Sequence, residues 1–148
     1  MEVTQRGVHF VAAPESAARI VLSLSQSFVL DTSAVTWAKD LNAAVRVTRL
    51  RLHATSGVAN LDFIQSAGAS MADNGSSGPS VPVMGFKRTS VTPSGSDIDV
   101  SNSVPVDVTR AWEADAVRID LSVVGTAPTT AWSIDLSLWL SGRIDYRL

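Results

Sequence analysis

Apolar and polar residues alternate along much of this chain, most regularly near its C-terminal end. Over residues 132–146 the apolar side chains fall on one face and the polar ones on the other, with Trp139 as the exception. This period of two is typical of a half-buried β-strand, because successive side chains of a strand point to opposite faces. Residues 117–123 alternate in the same way, and a short loop with Gly and Pro, 124–130, separates the two segments. We therefore predict two long strands within 116–147 that form a hairpin.

The N-terminal half shows the same alternation over residues 18–30 and again over 45–53. In the second segment the parity changes at Thr48 and Arg49. This change predicts a β-bulge, because one extra residue returns the later apolar side chains to the buried face. Shorter strand candidates are residues 7–12, 58–65, 81–87, 97–100 and 104–109.

Helical signals are confined to two short turns, at 31–39 and 107–113. Trp37 and Trp112 lie in or beside these turns, and we expect them to close the ends of the core. About eight short strands, separated by Gly and Pro, predict an all-β fold, namely an antiparallel β-sandwich or barrel.

Chain length and cysteine content limit the possible architectures. With 148 residues and a mass of 15.6 kDa, the chain suits a single domain over residues 1–148. It contains no Cys, which excludes disulfides, thiolate metal sites and thiol nucleophiles. Residues 66–80 are small, polar and rich in Gly, so we predict a long loop there. That loop is either an ordinary surface loop or a segment that becomes ordered on a partner.

The charge balance argues against nucleic acid as a partner and favours protein. The 12 basic and 14 acidic side chains give a net charge of −2, whereas nucleic-acid-binding domains usually carry a basic excess. Only 18% of the residues are charged, against about 25% in an average soluble domain. A surface so poor in charge is typical of a subunit that other chains partly cover, although codon bias in a GC-rich genome gives the same composition.

The sequence shows no targeting or membrane-spanning segment. Its start lacks the basic residues and the apolar stretch of a signal peptide. No stretch reaches the roughly 18 apolar residues of a transmembrane helix. We therefore expect a protein made and folded in a cytoplasm, with no membrane as a partner.

Side chains able to carry out catalysis or bind a metal are sparse and poorly placed. His9 and His53 lie in separate candidate strands, without an acidic partner at metal-ligand spacing. The serines form no Gly-x-Ser-x-Gly motif. Asp97 and Asp99 fall on the same side of a strand, where two carboxylates can bind Ca²⁺ or act as acid and base, but the solvent face of a strand explains them more simply. We predict no catalytic residue, no metal site and no cofactor.

Trp139 departs most from the pattern, because it lies on the polar face of the most regular strand. An outward tryptophan is an interface anchor, a platform for a bound sugar, or a side chain packed inside the same chain. Arg46, Arg49 and Arg51 form a basic run that either meets an acidic partner or pairs with acids on neighbouring strands. With Arg143, which shares the polar face with Trp139, these residues are our candidate interface.

The alternating strands at 22–30, 117–123 and 132–146, together with the loop at 66–80, give the chain a recognisable profile. In this profile it resembles the small capsid decoration or cement proteins of tailed bacteriophages, which have a jelly-roll-like β-sandwich fold. The resemblance implies a virion protein that clamps neighbouring capsid subunits, often as a dimer or trimer. It includes no sequence motif, so no residue role is transferred from the family.

Together these features predict a non-enzymatic structural protein. We expect a capsid decoration subunit whose partners are the capsid protein lattice, further copies of itself, or both. The alternative is a carbohydrate-binding or receptor-binding β-sandwich module of a larger fibre, with Trp139 and the same-side aspartates as its site. A glycosidase that uses a pair of aspartates is the third possibility.

Overall fold

The computed structural model describes residues 1–17, 20–30, 43–73, 80–89, 93–112 and 117–144. These residues form eight β-strands, a short 3-10 turn and one short helix. The strands are β1 (Glu2–Phe10), β2 (Val21–Leu30), β3 (Ala44–Ser56), β4 (Ile64–Asp73), β5 (Val81–Lys87), β6 (Asp97–Asp107), β7 (Val117–Thr126) and β8 (Trp132–Arg143). The 3-10 turn, Glu15–Ala17, follows β1, and helix α1, Thr109–Trp112, follows β6.

The strands of the described residues form two four-stranded antiparallel sheets. The first sheet has the strand order β1-β8-β3-β6 and the second has β2-β7-β4-β5. β1 pairs with β8, β2 with β7, β3 with β6 and β4 with β5, so the first half of the chain pairs with the second half in reverse order. This is the strand order of a jelly roll. The all-β, jelly-roll-like sandwich predicted from the sequence is therefore confirmed.

One hydrophobic core lies between the sheets and is built from the alternating apolar positions. The inner residues of β8 are Trp132, Ile134, Leu136, Leu138 and Leu140, all of them buried. The inner residues of β7 are Val117, Ile119, Leu121 and Val123, and they belong to the same cluster. Each strand therefore buries one face and turns the other outward, which is the physical cause of the alternation in sequence.

The predicted hairpin within 116–147 is wrong, although both of its strands exist. β7 pairs with β2 and β4 in the second sheet, whereas β8 pairs with β1 and β3 in the first. The connection at residues 127–131 therefore crosses from one sheet to the other. Two strands that face one core from opposite sides alternate just as two strands of a hairpin do, so the pattern does not distinguish the two arrangements.

The predicted loop at 66–80 is wrong over residues 66–73, which belong to β4. Ala67, Ala69 and Met71 of this strand are buried. β4 is a central strand, held by hydrogen bonds to β5 on one side and to β7 on the other. Backbone pairing on both sides stabilises it without bulky side chains, so its composition resembles that of a loop. Residues 74–79 lie outside the described residues.

The predicted β-bulge in β3 is confirmed. The register of β3 against β8 shifts by one residue between Val47 and Arg49, so Thr48 is the extra residue. Its hydroxyl donates a hydrogen bond of 3.1 Å to the carbonyl oxygen of Trp139. After the bulge Leu50 returns to the core, where it is fully buried.

Aromatic side chains close the ends of the core. Trp132 is buried and stacks on Phe10 with ring centroids 4.1 Å apart, and Phe63 meets it edge-on at 5.0 Å. Trp112, in α1, is also buried. This helix confirms the short turn predicted at 107–113. The turn predicted at 31–39, with Trp37, lies outside the described residues.

Candidate interaction surface around Trp139

The outer face of the first sheet carries a layer of polar and charged side chains centred on Trp139. Trp139, on β8, lies opposite Glu2 of β1 and Arg49 of β3. In the next row, Ser137 of β8 lies opposite Arg51 of β3. Residues opposite one another on one face have Cβ atoms about 4.5–5.5 Å apart, which is within contact distance. The register of the sheet therefore brings Trp139, Arg49 and Arg51 together.

Both arginines pack against the ring of Trp139. The guanidinium carbon (Cζ) of Arg49 lies 4.3 Å from the ring centroid, and that of Arg51 lies 5.3 Å from it. Both distances are within the range of a cation–π interaction. Trp139 itself is half-buried, so part of the residue lies at the surface beside the two arginines.

Each arginine also meets an aspartate of β6. Arg49 and Asp99 form a bidentate pair, in which Arg49 Nε donates to Asp99 Oδ1 at 2.7 Å and a terminal nitrogen donates to Oδ2. Arg51 Nε lies 3.8 Å from Asp97 Oδ1, and the same carboxylate oxygen is 2.9 Å from His53 Nδ1. Asp97 and Asp99 are therefore the cross-strand partners of the basic run, which was one of its two interpretations.

The ion pair shifts the pKa of both of its members. The side-chain hydrogen bond from Arg49 lowers the pKa of Asp99 below its ordinary value, against a smaller effect of desolvation that raises it. The hydrogen bond to Asp99 in turn raises the pKa of Arg49. Both shifts favour the charged forms, so the pair remains ionised at neutral pH.

Ser137 shows how closely this outer layer is packed. Its side chain points outward, yet only 4% of the residue is exposed. Its hydroxyl shares a hydrogen bond of 2.8 Å with the hydroxyl of Thr4 on β1. Its neighbour on the other side is Arg51, whose Nε is also buried and has no hydrogen-bond partner among the described residues. Ser137 and the Nε of Arg51 are thus buried in the outer face beside Trp139, whereas the paired side chains of β3 and β6 remain 36–41% exposed.

The other two candidates, Arg46 and Arg143, lie away from the cluster formed by Trp139, Arg49 and Arg51. Arg46 is on the far side of the bulge at Thr48 and pairs in register with Asp107 of β6. Arg143 is four residues beyond Trp139 on β8, a distance of about 13 Å along a strand. Both arginines are exposed. The structure therefore unites three of the five predicted interface residues and separates these two from them.

Strand β1 supplies residues that the sequence analysis missed. Its predicted bounds, 7–12, begin after Glu2 and Thr4, which flank the cluster. A register shift against β8 follows them, with Gly7 in the left-handed region at a φ of 66°. Such a bulge interrupts the alternation of a strand. The one signal for its first half is the alternation of Glu2, Val3 and Thr4, which is too short to indicate a strand.

The outer face of the second sheet has a different character. An open depression of about 320 Å³ lies on it, and its lining includes Ser25, Ser27, Gly68, Asp120 and Ser122. The Ser27 hydroxyl donates a hydrogen bond of 2.5 Å to Asp120 Oδ1. None of the described residues that line the depression is aromatic. It therefore offers hydroxyl groups to a ligand but no ring on which a sugar could stack.

The described residues contain neither a metal-binding cluster nor a membrane-spanning helix. In the part of the chain that the structure describes, no three His, Asp or Glu side chains are grouped to hold a metal ion. No helix within those ranges is long and apolar enough to cross a membrane. Neither the comparison with protein-family models nor the search of curated proteins finds a match for the sequence.

Proposed function

We propose that this chain is a non-enzymatic structural protein, a decoration subunit that binds the assembled protein shell of a tailed bacteriophage. The observation that carries the proposal is the packed surface around Trp139, in which two arginines lie against the ring and pair with aspartates. Trp and Arg are enriched at the energetic centres of protein interfaces. A surface built from these residues supports a protein partner.

The surface is also organised before any partner binds. Two hydrogen bonds to Asp99 and the ring of Trp139 hold the guanidinium of Arg49 in place. A long side chain that is already ordered loses little conformational entropy on binding. A shell repeats the same contact many times, so a modest contact at each copy is sufficient for stable attachment when copies are linked.

The jelly-roll fold is compatible with a decoration subunit, but it is equally compatible with other functions. Jelly rolls occur in viral capsid proteins and also in lectins. A single fold hosts many unrelated functions. The argument for a protein partner therefore comes from the composition and packing of the surface, not from the order of the strands.

The second candidate is a carbohydrate-binding or receptor-binding module. It is favoured by the position of Trp139, which is half-buried on the outer face of a sheet. Against it, a sugar stacked on the ring has to compete with the guanidinium of Arg49, 4.3 Å from the ring centroid. Displacing Arg49 also breaks its bidentate pair with Asp99. These costs make the protein partner the better-supported candidate.

The test is binding to particles of the phage that carries the gene. We expect the chain in the purified particles, and we expect recombinant protein to cosediment with particles that have been stripped of it. Trp139→Ala is expected to weaken this rebinding by about 30-fold. Val104→Ala is the matched control, because Val104 is an apolar residue of the same sheet, 75% exposed and on a different strand, and this variant should rebind normally.

Two results contradict the proposal. One is the absence of the chain from the purified particles. The other is binding to a glycan array that is lost in Trp139→Ala, with no cosedimentation by the unaltered protein, which supports the carbohydrate-binding candidate instead.

A further inference from the structure

We propose that β2 is the pairing edge of a symmetric dimer, in which a second copy of this chain adds its own β2 antiparallel to the first. The second sheets of the two copies then join into one eight-stranded sheet across a twofold axis. This surface is distinct from the cluster around Trp139. The inference goes beyond shell binding and does not depend on it.

The argument begins with the edges of the two sheets. An edge strand presents unpaired backbone N–H and C=O groups, which can pair with a strand of another chain. Monomeric proteins protect such edges with charged residues, prolines or bulges. The described strands end in four edges, which are β1 and β6 in the first sheet and β2 and β5 in the second.

Two of these edges, β1 and β5, carry the usual protection. β1 contains Glu2 and Arg6, and its register against β8 is interrupted near Gly7. β5 contains Pro82, which has no backbone N–H to donate, and Lys87. Its register against β4 is also interrupted by a shift. Neither strand offers a long, regular template to another chain.

The β6 edge is protected still more heavily. It carries the three carboxylates of Asp97, Asp99 and Asp107, and also Pro105. Residues 102–105 have no register partner in β3, because the register shifts between Val47 and Arg49. A second β6 placed alongside would oppose like charges and would meet an irregular backbone.

Strand β2 has none of these features. Its ten residues, Val21–Leu30, include no charged residue, no proline and no glycine. All ten pair with β7 in one continuous register, without a bulge. Two of its outward side chains, Val21 and Val29, are 50% and 48% exposed. A long, regular and uncharged edge of this kind promotes aggregation unless another strand covers it.

The outward residues of β2 also identify the partner as a second copy. From Val21 to Val29 they are Val, Ser, Ser, Ser and Val, a series that is the same in both directions. A twofold axis at Ser25 therefore places Val21 opposite the partner's Val29 and Ser23 opposite the partner's Ser27. Apolar pairs and hydroxyl pairs of this kind are favourable across antiparallel strands. The pairing opposes no like charges.

The inward side of β2 gives a further reason for a second strand. Leu24 and Phe28 pack against the core but are only partly buried. The same twofold axis places Leu22 opposite the partner's Phe28 and Leu24 opposite the partner's Gln26. The added strand therefore covers exposed apolar surface and extends the core across the axis.

The first test is the mass of the full-length chain, measured by sedimentation equilibrium over a concentration series. We expect a discrete dimer. A monomer at every concentration overturns the proposal, as does a trimer without a dimer. None of these outcomes bears on whether the chain binds a shell, so the two proposals can fail separately.

The second test determines which residues face each other, and it uses the absence of cysteine from the sequence. In the proposed dimer the two copies of residue 25 have Cα atoms about 4.5–5.5 Å apart. A disulfide joins Cα atoms roughly 4.4–6.8 Å apart. Most of the Ser25→Cys protein is therefore expected to become a disulfide-linked dimer on mild oxidation.

Ser122→Cys is the matched control for this crosslink. Ser122 is exposed on the same face and is the register partner of Ser25 on β7. Its two copies are three strand spacings apart in the dimer, about 14 Å, so they remain unlinked. A dimer that Ser25→Cys fails to link, or one that both variants link equally, overturns the proposal.

A charged substitution at the same position tests the proposed dimer without a crosslink that depends on oxidation. Ser25→Lys opposes two ammonium groups across the axis and should weaken the dimer by about tenfold or more at low salt. Ser122→Lys separates its charges by about 14 Å, beyond the Debye length of about 10 Å at 0.1 M salt, and should change the dimer constant by less than about twofold. Thermal melting confirms that both variants are folded. Equal effects of the two variants overturn the proposal.

Discussion

The outer faces of the two sheets differ in the means by which they can bind another protein. On the first sheet, Arg49 and Arg51 lie against Trp139 and pair with aspartates of β6. On the second sheet, small hydroxyl side chains surround a shallow depression, and β2 leaves a regular backbone edge without a partner in the described residues. In our proposals the first sheet binds through charged and aromatic side chains of its outer face, whereas the second binds through backbone hydrogen bonds at its β2 edge.

From this difference we infer that one β-sandwich can use two separate surfaces for two kinds of association. Charged side chains favour partners with complementary charge, and their contribution weakens as salt increases. Backbone pairing depends on a regular edge and on the absence of opposing charges. Shell binding and dimer formation should therefore respond to different mutations and to different solution conditions.

The largest expected effect is on the free energy of unfolding, and it distinguishes the buried face of β8 from its outer face. Leu138 and Trp139 are neighbours in β8, but Leu138 is fully buried in the core and Trp139 is half-buried in the outer layer. Leu138→Ala should lower the free energy of unfolding by about 2–5 kcal/mol, because it leaves a cavity. Trp139→Ala should lower it by less than half as much, as measured by urea denaturation. Equal losses would place Trp139 in the core and contradict its proposed role as a surface anchor.

The second-largest expected effect is on binding to phage particles, and it distinguishes shell binding from formation of the proposed dimer. Trp139→Ala should weaken binding to phage particles by about 30-fold, because truncating the central residue of an interface typically costs about 2 kcal/mol or more. The mass of the dimer should not change, because Trp139 lies on the other sheet from β2. Cosedimentation and sedimentation equilibrium measure the two quantities. Loss of the dimer in this variant would show that the two surfaces are not independent.

Salt should act on the two associations unequally. When NaCl is raised from about 0.05 M to about 0.5 M, binding to particles should weaken by about tenfold, because screening shortens the range of the charges. The dimer constant should change by less than about twofold, since Val21–Leu30 contains no charged residue. Titration of both equilibria over this range measures the contrast, and parallel weakening would contradict it.

A smaller effect tests the geometry of the Arg49 side chain. Arg49→Lys keeps the charge but loses the planar group that both packs on Trp139 and forms two hydrogen bonds to Asp99. Binding to particles should therefore weaken by about threefold. Arg118→Lys is the control, because Arg118 pairs with Asp120 at 3.2 Å on the second sheet. Binding should be unaffected in this control, and equal loss in both variants would exclude a specific role for Arg49.

The smallest effect is a pH dependence of stability. The pKa of Asp99 is lowered in the folded state, first by its hydrogen bond from Arg49. Its contribution to stability is therefore complete above its unfolded pKa of about 4 and is lost as the pH falls through the lower folded value. Asp99→Asn should lower Tm at pH 7 by less than about 4 °C, since exposed ion pairs contribute little.

This difference in Tm between Asp99→Asn and the unaltered protein should shrink below about pH 4. Thermal melts at a series of pH values measure it. A difference that grows as the pH falls would contradict the sign of the shift.

The alternation of residues was sufficient to predict β2, β3, β7 and β8, because each of these strands buries one face in a single core. It also predicted the bulge at Thr48. The apolar positions of this segment change there from odd to even numbers, and one extra residue keeps all of them on the buried face. It failed for β4, whose small side chains resemble a loop while backbone pairing holds the strand. It also failed to assign β7 and β8 to different sheets, because alternation indicates which face is buried and not which strand is the partner.

The sequence was sufficient to identify the central residues of the candidate surface, but it did not predict how far that surface extends. Trp139 was found because it breaks the polar face of β8, and Arg49 and Arg51 because they alternate with buried residues. Arg143 was included because it shares that face, but its distance from Trp139 along the strand removes it from the cluster. Only the register of β3 against β8 shows which arginines reach the ring. That register depends on contacts between residues far apart in sequence.

The most direct test of the account is the orientation of this domain on the phage particle, determined by cryo-electron microscopy. We predict density for the jelly roll on the outside of the shell, with the first sheet and Trp139 facing the capsid protein. The result that would contradict the account is a shell without this density, or a domain whose contact with the capsid excludes the face around Trp139.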